Sequence, residues 1–393
     1  MKFVLFYHSL ISDWNHGNAH FLRGIVTDLL DRGHDVQVYE PANAWSVENL
    51  VADHGTAPIE EFLHTFPYLR STRYDPAQFD LHAALDGADV VLVHEWNDHA
   101  LVRRIGEHRA RNAGYRLFFH DTHHRAATQP EAMAAYDLRH YDGVLAYGKV
   151  IRDLYLERGW ARRAWTWHEA ADVRVFHPRP RGAPQGDVVW IGNWGDDERT
   201  AELHEFLIDP VRELGLRAKV YGVRYPDEAK ESLRAANIDY AGWLPNYRAA
   251  EVFSRYRMTV HVPRRPYVTT LRGIPTIRPF EALACAIPLI SAPWDDAEQL
   301  FTPGEDFLVA RNGKEMRKQM RALIEDRELA AHLAEHGLRT ILARHTCTHR
   351  VGELLQILDE CHPERSEGPV RAGGALNPGD PPPALPGSSL RSE

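Results

Sequence analysis

The sequence predicts an α/β protein with two doubly wound parallel-sheet domains. Short apolar runs alternate with stretches of helical period. The alternation is broken once, by the Pro- and Gly-rich residues 177–186, and then resumes. The chain is 393 residues long, more than one ordinary core accommodates.

The first series opens at residues 3–7, a continuous apolar run of the kind buried on both faces of a sheet. Phe21, Leu22, Ile25, Val26, Leu29 and Leu30 follow with helical spacing, with Asn18 as N-cap and Gly33 as stop. Residues 36–39 are the second strand, and 41–86, with scattered Pro and His, are expected to form irregular helices. Residues 89–93, 117–119 and 143–146 are further strands, separated by helices at 98–112 and 149–158. Beyond the linker, strands are expected at 188–191, 218–221, 258–262, 287–291 and 307–309. Helices are expected at 201–214, 227–235, 247–254, within 313–342, and at 351–358. The expected division is 1–176, linker 177–186, 187–345, a C-terminal helix in 346–361, and a disordered tail over 362–393. The run 361–369 resembles a translated bacterial repeat element, which would leave the tail without a function.

Composition narrows the function. A net charge of −9 argues against a general nucleic-acid binder, which needs a concentrated basic surface. Residues 101–112 carry Arg103, Arg104, His108, Arg109 and Arg111, a face suited either to weak contact with anionic lipid or simply to solvent. Three cysteines without metal-ligand spacing give no disulfide framework and fit a reducing cytoplasm. The apolar start is too short for a signal peptide, and no run approaches the roughly 20 residues of a membrane span.

Residues 272–309 are the most informative stretch. A Pro-rich loop leads into a short helix carrying Glu281 and then a buried strand. A helix start has unpaired N–H groups and the positive end of the dipole, which suit a phosphate near Thr276. Arg272 and Arg278 add fixed charge, and a carboxylate one turn inside can accept bonds from ribose hydroxyls. This is a site for an anionic, hydroxyl-rich ligand, and a nucleotide sugar fits.

Several segments, in order, resemble the group 1 glycosyltransferases of GT-B fold, particularly the branch similar to spore-maturation glycosyltransferases. They are His16-Gly17-Asn18, Arg32 to Val36, Val93-His94-Glu95-Trp96 and Phe118-Phe119-His120-Asp121. Asp172 through Phe176-His177-Pro178, Trp190-Ile191-Gly192-Asn193 with Arg199, Arg278-Pro-Phe-Glu281, and His345 to Arg350 complete the set. The resemblance spans residues 1–358 and implies transfer of a sugar from a nucleotide-sugar donor, without a cofactor or required metal. It implies that Arg199 and Arg278 hold the diphosphate, that Glu281 bonds the ribose and that Gly242, Trp243 and Leu244 cradle the base. Gly17, Asn18, Glu95, Trp96 and His120 would face the acceptor, whether glycan, lipid or small molecule. Many retaining members carry a second glutamate eight positions before the first-named one; here that position is Gly273, with Thr269, Thr270 or Arg272 as possible substitutes. Donor sugar and stereochemical course therefore stay open. Retention is the expected outcome, and inversion would need His120 or Asp121 as base.

Each residue also has a plainer reading. Gly17 and Asn18 suit an ordinary strand-to-helix turn, and Trp243 suits core filling. Arg199 could pair with Asp196, Asp197 or Glu198. His120, Asp121, His123 and His124 read as cleft lining ahead of a metal site, because neighbours on an extended chain point apart. The pairs Asp196-Asp197 and Asp295-Asp296 are discounted as metal ligands, and Cys285 reads as a small buried hydrophobe. An epimerase or hydrolase of nucleotide sugars, and a non-catalytic sugar- or protein-binding relative, remain alternatives.

Overall fold

The computed structural model describes residues 1–112, 114–180 and 182–361, and the expected tail at 362–393 lies outside them. Two fully parallel sheets organise the chain. The first contains β1 (Lys2–Phe6), β2 (Asp35–Pro41), β3 (Ser71–Tyr74), β4 (Val90–His94), β5 (Arg116–Asp121), β6 (Gly143–Ala146) and β7 (Ala164–Thr166). Their spatial order is β3-β2-β1-β4-β5-β6-β7. The second contains β8 (Gly186–Ile191), β9 (Ala218–Tyr221), β10 (Ile238–Tyr240), β11 (Tyr256–His261), β12 (Leu289–Ser291) and β13 (Leu308–Val309). Its order, β10-β9-β8-β11-β12-β13, repeats the same winding.

Strand chemistry explains the layering. In β1, Phe3 and Leu5 join one apolar core while Val4 and Phe6 join another, because successive side chains leave opposite faces. Both faces are covered by helices, so β4 is buried at every residue. The edge strands β3 and β7 are half-exposed and lack such a run, which is why the sequence reads 41–86 as helical and passes over 164–166. Helices do form there, at Trp45–His54, Ala57–Thr65 and Leu81–Leu85. The expected helix at 201–214 is interrupted by a wider π turn at His204–Ile208, just ahead of Pro210, whose ring cannot donate an N–H.

The chain crosses between the sheets twice. After the linker and the whole second sheet it returns as helix Cys347–Glu360, which packs on helix Ala19–Asp31 of the first domain. The crossings are bonded together: the Ala171 N–H donates to His345 O at 2.9 Å and the Cys347 N–H donates to Ala171 O at 3.0 Å. No helix among the described residues is long and apolar enough to cross a membrane.

Candidate functional site

In a doubly wound sheet the connections part on either side of the first strand, leaving a crevice at the strand C-termini. Here that point lies between β1 and β4 in one sheet and between β8 and β11 in the other. The loops leaving these strands face each other across a cavity of about 500 Å³. Asn15–Asn18 follow β1 and Trp96 follows β4, while Gly192, Asn193 and Arg199 follow β8 and Arg264 follows β11. Gly17 brings the lobes close, since a Cβ there would lie 2.8 Å from Ile277 Cγ2.

The second-domain wall is cationic. Helix Ile277–Ala284 starts at the cavity, and its N-cap Thr276 makes no side-chain cap bond. The Thr276 hydroxyl instead pairs with His261 Nε2 at 3.3 Å, leaving the first-turn N–H groups to an anion. Arg278 lies in that turn and pairs with Glu281. Arg199 donates to three main-chain oxygens, those of Asn193, Trp194 and Val262, and lies over the Trp190 ring at 5.1 Å. It forms no ion pair with a carboxylate among the described residues. Burial, reinforced by Arg264 and Arg278, lowers its pKa to about 9. Arg264 is held by Glu198 at 2.9 Å. An anion arriving here would meet converging positive charge whose desolvation has already been met by the fold.

The first-domain wall is uncharged and aromatic, with Trp45, Trp96, His16 and His123 on it. Trp96 is braced by Arg125 at 4.1 Å, and Arg125 is neutralised by Glu95 at 2.7 Å. The imidazoles are neutral: burial lowers His16 to about 3 and drives His123 well down. Both ring nitrogens of His8, packed on His16, lack a partner among the described residues.

The cavity thus brings together Gly17, Asn18, Trp96, Gly192, Asn193, Arg199, Thr276 and Arg278 of the sequence-predicted residues. Trp243 and Leu244 line a smaller side cavity of about 70 Å³ that shares Asn15, Gly192, Asn193 and Arg278 with the first. The Trp243 indole N–H donates to Asp13 Oδ1 at 3.1 Å. Gly242 sits just off that wall, its carbonyl taking the Gly222 N–H.

Besides Gly242, five predicted residues lie on neither cavity wall. Glu281 is fully buried behind Arg278, and its other oxygen takes the His20 Nδ1 proton at 2.9 Å. His20 Nε2 accepts the Asp172 N–H at 2.8 Å, which fixes that tautomer. His120 is sealed behind the wall against the Tyr7 hydroxyl at 2.7 Å. Asp121 accepts from the Tyr155 hydroxyl at 2.8 Å, and burial together with nearby Glu95 raises its pKa well above the carboxylate range. Glu95 is buried on Arg125 and Thr122. Arg272 is exposed and paired with Asp295 at 2.5 Å, away from the cavity. Asp296 takes the Leu300 and Phe301 N–H groups, and no cluster of three metal-ligating side chains occurs among the described residues. Trp45, Tyr147, Glu169, Arg264 and Tyr267 line the cavity without having been singled out in the sequence. No local motif marks them, because they converge only through the topology.

Residues 199–356 match the family model described as glycosyl transferase-like. No curated protein sequence matches the chain. Among solved structures, a sucrose-phosphate synthase from Thermosynechococcus elongatus is similar at 13% identity and a TM-score of 0.62, with 92% of this chain and 98% of that one covered. HepE from Anabaena, in complex with UDP and glucose, is similar at 14% identity and a TM-score of 0.64, covering 91% and 99%. An alpha-glucosyltransferase in complex with UDP and DNA is similar at 12% identity and a TM-score of 0.65, covering 91% and 99%. Two parallel-sheet domains facing one cleft, in the arrangement of these structures, give this chain the GT-B fold, with the glycosyl transferase-like match on its second domain.

Proposed function

We propose that the protein is a glycosyltransferase of the hexosyl-transferring class that moves a sugar from a nucleotide-sugar donor to an acceptor hydroxyl. The observation that carries this is the open helix start at Thr276, ringed by Arg199, Arg264 and Arg278 and facing a second lobe across the cavity. The glycosyl transferase-like match over 199–356 falls on this cationic wall, and neighbours of the same fold hold UDP or UDP-glucose. Residues 187–345 serve as the donor domain and 1–176 as the acceptor domain. The base lies toward Trp243 and Leu244 and the diphosphate at Arg199, Arg278 and the helix start.

Transfer proceeds with retention and without a metal, a course that rests on the family resemblance. The bond from the anomeric carbon to the leaving phosphate oxygen breaks, the acceptor oxygen bonds that carbon on the same face, and the acceptor proton passes to the leaving phosphate. Arg199 and Arg278 stabilise the charge that develops there. Glu281, His120, Asp121 and Glu95 act as positioning residues, Glu281 by orienting Arg278 and Glu95 by fixing Arg125 beneath Trp96. The cysteines, buried and outside any disulfide among the described residues, fit the cytoplasm as its compartment.

A thermal-shift and calorimetric screen of UDP-, GDP-, TDP- and ADP-glucose tests the reading. One of them should bind, and Arg278→Ala should weaken it at least about tenfold. Binding of none would overturn the donor assignment. Donor consumed only with acceptor present marks a transferase, and consumption with donor alone marks a hydrolase or epimerase.

A further inference from the structure

Among its described residues the cavity wall carries one carboxyl group, Glu169. It lies between β7 and the linker, where the chain passes beside the open helix start. Asn18 Nδ2 donates to Glu169 Oε1 at 2.8 Å and fixes the group in place. The facing groups offer no cation of its own. From helix Ile277–Ala284 come Arg278, already paired with Glu281, and Glu281 itself; from helix Arg265–Thr269 comes the Tyr267 phenol. His20 of helix Ala19–Asp31 is spent on Glu281, and neighbouring His168 turns away to Glu298 at 2.8 Å.

Resting on the donor reading above, we propose that Glu169 is a substrate-contacting residue that holds a hydroxyl of the donor's sugar. It stands on the opposite lobe from the diphosphate-binding arginines, where a sugar carried on the phosphate would project. A carboxylic acid offers one O–H donor and one C=O acceptor, the complement of a sugar hydroxyl. Burial, with Glu281 adding to it and Asn18 and Arg278 opposing, raises its pKa to about 8, so the acid form dominates at neutral pH. The neutral form also spares the donor's diphosphate a like charge. Ionisation above that pH brings repulsion and removes the proton that the sugar would accept.

Calorimetry of the full chain with UDP-glucose and with UDP, at pH 7 and pH 9, decides the matter; if the screen selects another base, the matching nucleotide pair replaces these. Glu169→Ala should lose about tenfold or more in UDP-glucose affinity while UDP affinity changes less than about twofold. Glu169→Gln keeps one donor and one acceptor and should restore UDP-glucose binding to within about threefold. Moving from pH 7 to pH 9 should weaken UDP-glucose binding by the wild type several-fold more than by Glu169→Gln, the loss common to both coming from Arg199. Equal losses of UDP and UDP-glucose in Glu169→Ala would mean a structural role and overturn the assignment. So would full affinity in that variant, or the same pH dependence in the wild type and Glu169→Gln. A wild type that binds no nucleotide sugar overturns the donor reading along with this one, whereas binding indifferent to Glu169 overturns this one alone.

Discussion

The two lobes share one winding and differ in what they present at the same topological place. The second shows the cavity an uncapped helix start and arginines held on main-chain carbonyls or carboxylates. The first shows indole and neutral imidazole, with its nearby cation, Arg125, cancelled by Glu95. Equivalent crevices thus present different chemistry through loop residues alone. A site for an anion needs charge that persists at neutral pH even when buried, which arginine supplies. A site for a neutral, hydroxyl-bearing molecule needs flat apolar faces with polar edges.

The contrast can be broken from either side. Its largest expected effect is on stability. Arg125→Ala leaves Glu95 buried without its cation and should cost about 3–5 kcal/mol in denaturant unfolding, with donor affinity of the folded fraction unchanged. A cost below about 1 kcal/mol would mean that the pair does not hold the first-domain wall together. Next comes Arg199→Ala, which should lower donor turnover about 10²–10³-fold, with Arg199→Lys intermediate. Turnover within threefold of wild type would put the diphosphate elsewhere.

Acid separates the lobes less sharply. His120 in the first and His261 in the second are buried and neutral, with burial lowering each to about 3. The unfolded chain binds these protons below about pH 6.5 while the native state does not, so stability falls as pH drops from there toward 3. Each should cost about 2 kcal/mol between pH 7 and pH 5, and the His120→Gln or His261→Gln chain should show a correspondingly flatter stability profile. An unchanged slope would mean that these rings are hydrated. The smallest effect sharpens the comparison most. Trp96→Ala should raise the acceptor KM about 2–10-fold and leave donor affinity alone. A shift in donor affinity instead would assign both walls to one ligand.

The same contrast governs what the sequence reveals. Central strands were legible because burial on both faces demands apolar runs, as in β1 and β4, whereas the edge strands β3 and β7 need none. The cationic helix start proposed for the phosphate stands out in the sequence because Thr276, Arg278 and Glu281 lie within one helical turn of each other. Arg272 looks equivalent in the sequence, but the chain turns at Gly273, with φ at +93°, and the side chain ends on Asp295. Asn18 holds the expected N-cap position, yet its backbone is already helical, so its amide reaches Glu169 instead of the helix N–H groups. Glu169 itself sits among Trp167, His168 and two alanines with no pattern to mark it. Its significance arises only when two distant loops meet.

The paired crossings at Ala171 and His345–Cys347 set how the cleft can open. Two covalent tethers stitched side by side behave like the spine of a book, so the lobes are hinged along one line. Opening about that line would have to break the bonds that bridge the cleft, among them Asn193 to Asn15 and the Trp243 indole to Asp13. Cutting the chain before Cys347 would also strip the helix that covers Gly24 and its neighbours, so the far end of the sequence guards the core of its beginning.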